Sequence, residues 1–153
     1  MQLTGSCFCG ATSFSVETRT PYPYRRCYCA RCRKTAGGTG AAANVLAQAS
    51  TLRVIGAELI TEYAAPDATR TRFCSRCGSA LYLTLDAAPD FVYPFASAID
   101  TPLPEPPERV HVFTGEAPGW ARPLASPHDL AVERNTNESI EGWHRRHGLA
   151  TED

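Results

Sequence analysis

Lysine is almost missing from this chain of 153 residues: Lys34 is the only one, and every other basic residue is an arginine. The 15 basic side chains face 16 acidic ones, for a net charge of −1, so the broad basic face of a nucleic-acid binder is lacking. Long hydrophobic runs are lacking too. The most apolar patch, 41–49, is interrupted by Asn44 and Gln48 and is too short to cross a bilayer. The opening MQLTGSCFCGATSF has no basic start and no apolar stretch, which predicts no signal peptide. Helix signals are scarce, and no repeat occurs beyond recurring cysteine knuckles. The expectation is a soluble, cytoplasmic protein with neither a membrane nor a nucleic acid as partner.

What is present suits one packed domain: 43% of the residues are hydrophobic and 20% charged. Short alternating runs dominate. TSFSVE places Phe14 and Val16 on one face. TLRVIGAELITEY reads as two strands meeting near Gly56 and Ala57, ALYLTLD gathers Leu81, Leu83 and Leu85, and FVYPFASA and RVHVFTG follow. Pro94 predicts an edge or bulge for its strand. Many short strands between Gly, Pro and Asp turns predict a mainly β fold with little helix. One short helical turn is expected in CARCRKTAG. A second helix is expected in NESIEGWHRRH, with Asn135 or Asn137 as its cap. The proline-rich stretch TPLPEPPE, 101–108, reads as a stiff surface connection. The domain is placed at residues 1–125, followed by a C-terminal extension, 126–153, whose short helix packs on or near it.

The seven cysteines fall into three groups and none lies outside them: Cys7 and Cys9; Cys27, Cys29 and Cys32; Cys74 and Cys77. An odd number cannot be fully paired within one chain, and a C-x-C spacing strains a disulfide. Thiolates at such spacing suit a soft or borderline metal, zinc above all. Cys7 and Cys9 can join Cys74 and Cys77 in a closed four-thiolate site that staples the fold. Gly10 and Gly78 follow the second ligand of each pair, where a turn needs positive φ. Sites of this kind contribute on the order of 10 kcal/mol to folding in small zinc peptides. Cys27, Cys29 and Cys32 then form a three-thiolate site, the ligand count of a catalytic zinc with an open fourth position. Closure by a histidine (His111, His128, His144 or His147) is the other arrangement the sequence permits, and an iron–sulfur cluster a third. Of the histidines, His111 reads as a packed or surface residue, and His144 and His147 as a solvated helix face.

The segments GSCFCGATSF, CYCARCRKTAGG, RTRFCSRCGSALY and RVHVFTGEAPGW, spanning about Gly5 to Trp120, resemble the glutathione-dependent formaldehyde-activating enzyme family, which also contains centromere protein V. Relatives often carry histidine where this chain has Tyr28. The resemblance implies coiled antiparallel sheets of β-tent type. It implies a structural zinc at Cys7, Cys9, Cys74 and Cys77 and a catalytic zinc at Cys27, Cys29 and Cys32, two zinc ions per chain. It also implies a carbon–sulfur lyase that makes or breaks S-hydroxymethylglutathione, so that the partners are a small-molecule thiol such as glutathione and an aldehyde.

A metal deprotonates a thiol outright, whereas a free thiol has a pKa of about 8.5. A substrate thiol at the Cys27/Cys29/Cys32 site would thus attack an aldehyde as thiolate. Arg25, Arg26, Arg31, Arg33 and Lys34 can offset the charge of the site or receive a substrate carboxylate, and of these Arg33 and Lys34, which follow the cluster directly, are the expected substrate contacts. Tyr28 offers a hydroxyl near the site or a packed ring. The alternative function is a non-catalytic, zinc-stabilised binding module with both metal sites structural. Sheets with an open edge are also compatible with a homodimer.

Overall fold

The computed structural model describes residues 1–124 and 126–151. The boundary expected at Ala125 and the last two residues of the extension lie outside the described residues. The fold is mostly β. Its strands are β1 (Gln2–Ser6), β2 (Ser13–Glu17), β3 (Arg25–Cys27), β4 (Ala42–Ala43), β5 (Ala47–Gln48), β6 (Arg53–Ile55), β7 (Ile60–Ala64), β8 (Thr69–Cys74), β9 (Ala80–Leu85), β10 (Phe91–Pro94), β11 (Val110–Val112) and β12 (Leu130–Ala131). Two short helices accompany them, α1 (Ala30–Thr35) and α2 (Ile140–Arg146). No helix of the described residues is long and apolar enough to cross a membrane.

The strands make three sheets, in the orders β1-β2-β6, β5-β10-β9-β8-β7 and β12-β11-β3-β4. The first two sheets are antiparallel throughout. In the third, β11 runs parallel to both β3 and β12. Parallel neighbours need long connections, and β3 and β11 are far apart in sequence. β10 lies inside its sheet, between β5 and β9, rather than at the edge expected from Pro94. The proline is tolerated because it ends the strand, and its carbonyl accepts the Val45 N–H at 3.0 Å.

Alternation builds the core. Phe14 and Val16 on β2 are buried with Leu3 on β1. Gly5 lets the two strands close: a Cβ there would stand 2.3 Å from the Phe14 ring and 2.4 Å from the Ala98 carbonyl oxygen. β9 is buried on both faces, with Leu81 and Leu83 in the main core and Tyr82 edge-on to Phe14 at 5.7 Å. The turn foreseen between β6 and β7 rests on Gly56 at φ +74°, where a Cβ would meet the Ala11 carbonyl oxygen at 2.2 Å.

A second core lies under α2. Trp143 is fully buried and stacks on Tyr24 at 4.0 Å, beside Val110 and Val112. The helix cap is Ser139, whose Oγ accepts the Gly142 N–H at 3.0 Å; Asn135 and Asn137 stand before it. His144 does not face solvent as the sequence pattern suggested. It is fully buried, its Nδ1 bonded to the Ile140 carbonyl at 2.8 Å and its Nε2 accepting the Tyr22 N–H at 3.2 Å. The indole N–H of Trp143 donates to Glu108, which also holds Arg146 and His147. The proline-rich connection thereby anchors the helix.

Candidate metal centres

Two groups of cysteines converge, and they are the groups that counting suggested: Cys7, Cys9, Cys74 and Cys77, and separately Cys27, Cys29 and Cys32. Within each group all sulfurs lie within 4.8 Å of one another.

The four-cysteine group is made by two matching knuckles. Cys7 follows β1 and Cys74 ends β8. The Gly10 N–H donates to the Cys7 carbonyl at 3.0 Å, and the Gly78 N–H to the Cys74 carbonyl at 2.8 Å. Both glycines have the positive φ expected of them, +72° and +74°. Cys7 and Cys74 are buried while Cys9 and Cys77 are exposed. Ser79 ties the knuckles together: its Oγ accepts the Phe8 N–H at 3.1 Å and lies 3.2 Å from Cys77 Sγ. Hydrogen bonds from the Ser79 side chain and backbone pull the Cys77 thiol down to about 5. Tetrahedral zinc–thiolate bonds of about 2.3 Å place sulfurs about 3.8 Å apart. Cys7 and Cys9 Sγ are 3.5 Å apart and Cys9 and Cys74 Sγ 3.9 Å, so the donor set fits such an ion.

The three-cysteine group sits where β3 runs into α1. Cys27 ends β3, flanked by Val112 of β11 and Ala42 of β4. The Tyr28 N–H donates to the Val112 carbonyl at 3.0 Å, which turns the chain into the loop. Cys29 is the N-cap of α1, its sulfur accepting the Cys32 N–H at 3.5 Å. Another free amide of this helix end, that of Ala30, donates to Glu116 at 2.9 Å. Hydrogen bonds from Cys27 and Cys32 hold Cys29 down at about 2, and the contacts with Cys29 and Cys32 push Cys27 up. Crowded sulfurs oppose one another's ionisation, an arrangement that a cation relieves.

None of the four histidines joins the three sulfurs, nor does any Asp or Glu among the described residues. His111 turns to the opposite side of β11, where its Nδ1 lies 2.8 Å from the Tyr28 hydroxyl and its Nε2 3.7 Å from Asp129. His144 is buried beneath α2, His147 is half-buried at the helix end and held by Glu108, and His128 is exposed. Tyr28 is buried and takes the packed role.

A cavity of about 230 Å³ opens beside Cys27 and Cys32. Its basic wall is Arg25 and Arg31; Leu83, Tyr93, Phe113 and Ile140 make its apolar wall. Arg33 and Lys34 lie on α1 and are not part of that lining. Arg31 donates to Asp67 and, at 2.6 Å, to Thr69. Burial works against its charge, but the sulfur of Cys32 and the carboxylate of Asp67 more than compensate and raise its pKa. Phe113 holds a left-handed backbone at φ +58°, strain of the kind that collects at functional sites. Arg25 was open to sequence reasoning, because it stands two residues before Cys27 on one strand and so shares its face. That requires knowing that 25–27 is a strand. A wider cleft of about 590 Å³ flanks the four-cysteine group, without a basic side chain in its lining.

The comparisons with known proteins agree with this geometry. The model of the family "Glutathione-dependent formaldehyde-activating enzyme" matches residues 2–116. A Halomonas elongata protein, provisionally named a glutathione-dependent formaldehyde-activating enzyme, is 47% identical over 154 residues, 97% of this chain and 98% of its own. A crystal structure of a Rhodobacter sphaeroides protein from a structural-genomics programme is similar at TM-score 0.55 and 30% identity, over 66% of this chain and 91% of that one. The match over most of the length, with both cysteine groups assembled, places this chain in the glutathione-dependent formaldehyde-activating enzyme family.

Proposed function

We propose that the protein is a zinc-dependent carbon–sulfur lyase that joins a thiol such as glutathione to an aldehyde such as formaldehyde, and splits the adduct in reverse. One observation carries the reading: three sulfurs converge without a fourth protein ligand among the described residues, beside a cavity with a basic wall. Cys7, Cys9, Cys74 and Cys77 would hold a structural zinc, and Cys27, Cys29 and Cys32 a catalytic one. When bound, the catalytic ion supplies a Lewis acid that keeps a substrate thiol deprotonated near neutral pH.

The chain's own residues supply the rest. Three thiolates and one divalent cation carry a net charge of −1, and Arg31 beside Cys32 offsets it. Leu83, Phe113 and Ile140 keep bulk water from one side of the cavity. Burial raises the pKa of Tyr93, so this wall residue stays an O–H donor able to meet the aldehyde oxygen. In the reaction the substrate sulfur bonds to the carbonyl carbon and the π electrons pass to oxygen. The proton the thiol loses on binding passes to solvent, and the oxygen takes one from the Tyr93 O–H, which solvent restores, giving the S-hydroxyalkyl adduct. A cytoplasmic setting, where thiols stay reduced, belongs to this reading.

The test is exchange spectroscopy of glutathione and formaldehyde by NMR, since the two combine unaided. Purified protein is expected to carry two zinc ions and to speed exchange above the uncatalysed rate; Cys27→Ala is expected to abolish that gain. Exchange no faster than in buffer, with fully metal-loaded protein, would overturn the proposal.

A further inference from the structure

Arg25 differs from the other arginine of the cavity wall. Arg31 is already engaged, by the carboxylate of Asp67 and the sulfur of Cys32. Among the described residues no carboxylate pairs with Arg25; its Nη2 donates only to the Glu138 backbone carbonyl, at 3.2 Å. Its Nε is buried without any hydrogen-bond partner, as are those of Arg31 and Arg33, so the missing carboxylate is what sets Arg25 apart from Arg31. A part-buried guanidinium left in this state is costly unless an anion completes it. Alternation along β3 turns Arg25 to the same face as Cys27, and both line one cavity.

The neighbours are polar in a complementary way. Asn135 uses its side-chain oxygen on the Thr136 N–H at 3.0 Å, so its amide N–H₂ is the group it offers to the cavity. Asn44 uses its N–H₂ on the Tyr93 carbonyl at 3.1 Å, and so offers an oxygen. Asn135, Glu138 and Ile140 all lie beyond residue 116, where the family match ends. The C-terminal segment therefore completes a wall that the matched region leaves open.

We infer that Arg25, backed by Asn135 and by the Glu138 carbonyl, is a carboxylate-binding subsite that selects thiols bearing a carboxylate over neutral ones. The inference deepens the proposed function and rests on it for the identity of the ligand as a thiol substrate. Arg25 is a specificity-determining residue here, and the C-terminal segment positions it. A guanidinium can grip a carboxylate through two parallel N–H donors, and Nε is one of the pair.

The probe is S-methylglutathione, which keeps both carboxylates but cannot become a thiolate. Its binding to zinc-loaded protein is measured by calorimetry up to about 10 mM, against its dimethyl ester, in wild type, Arg25→Gln and Arg25→Lys. Loss of a charge-assisted hydrogen-bond pair corresponds to about 10- to 100-fold weaker binding. That loss is expected for the ester on wild type and for the acid on Arg25→Gln. It is not expected to double when ester and Arg25→Gln are combined, because both remove one interaction. Arg25→Lys is expected to recover part of it. Equal binding of acid and ester by wild type, or no binding of S-methylglutathione, would overturn the subsite. Should Arg25→Gln fail to retain two zinc ions and a native circular-dichroism spectrum, the ester comparison on wild type decides alone. The two proposals fail separately. Accelerated glutathione–formaldehyde exchange with ester-indifferent binding sinks the subsite only; Arg25-dependent binding without accelerated exchange sinks the lyase reading only.

Discussion

Tyr28 separates two candidate metal ligands, yet its side chain works away from the metal. Its hydroxyl and His111 Nδ1 meet at 2.8 Å, with both residues buried. His111 comes from β11, whose next residue, Val112, accepts the Tyr28 N–H. The pair clamps the cysteine loop to the strand behind it at the side chain as well as at the backbone. His111 Nε2 is already without a hydrogen-bond partner. Removing the hydroxyl leaves Nδ1 buried without a hydrogen bond and only the long 3.7 Å contact of Nε2 with Asp129, at a cost of about 1–3 kcal/mol. Tyr28→Phe is accordingly expected to lower the urea midpoint with an unchanged denaturant slope and with both metal ions retained. Retention is the distinguishing readout, since a ligand variant such as Cys27→Ala is expected to lose one ion. A midpoint equal to wild type would show that the bond contributes nothing.

Among the elements, α2 departs furthest from its appearance in the sequence. Ser139 caps it, and Ile140, Trp143 and His144 turn inward. A tryptophan and an isoleucine three apart are a thin stripe, and a histidine beside them reads as polar unless its partners are known. Those partners come from far away: the Tyr22 amide, and Tyr22 and Tyr24 rings edge-on at 5.8 Å. Burial lowers the pKa of His144, and that of His111 likewise, so the folded state prefers both imidazoles neutral. A protonated His144 could not accept the Tyr22 N–H. The sign follows from linkage: stability is complete above the unfolded histidine pKa of about 6.5 and falls as the pH drops through and below it. Urea unfolding at pH 7.5, 6.5 and 5.5 is expected to trace that decline in wild type. His144→Gln, which lacks the titration, is expected to be less stable at pH 7.5 but to lose less between pH 7.5 and 5.5. Parallel losses in the two proteins would remove His144 from the account.

At the scale of the whole molecule, what could be read early was what is local in sequence. C-x-C and C-x-x-C fix two sulfurs each through a single turn, and the positive-φ glycines announce those turns. Counting then joined Cys7 and Cys9 to Cys74 and Cys77, because the remaining three cysteines already formed a group. The alternating runs gave β2, β9 and the β6–β7 turn. Pairings across long separations were not legible. Nothing in RRC marks a strand held between β4 and β11, and without that strand Arg25 has no face, so among the five basic residues around the cluster Arg33 and Lys34 were preferred to it.

The same topology would give the two candidate metal centres unequal weight in stability. Cys7 and Cys9 extend from the β1-β2-β6 sheet, while Cys74 and Cys77 belong to the β8–β9 connection of the five-stranded sheet. An ion there would cross-link two sheets across a long stretch of chain. Cys27, Cys29 and Cys32 lie within eight residues of Arg25, on a strand and helix already held by β4, β11 and Glu116. Structural zinc contributes on the order of 10 kcal/mol, comparable to the whole stability of a typical domain. Chelation is therefore expected in two stages: one ion leaves with the far-ultraviolet circular dichroism unchanged, and the second leaves together with the fold. Cys27→Ala is expected to enter this series with one ion and a native spectrum, Cys74→Ala to unfold or aggregate. Metal analysis alongside the spectra separates the stages. If both ions left together with the fold, or if Cys27→Ala collapsed as Cys74→Ala does, the three-cysteine group would be as structural as the other, and an exchangeable position for substrate would lose its basis.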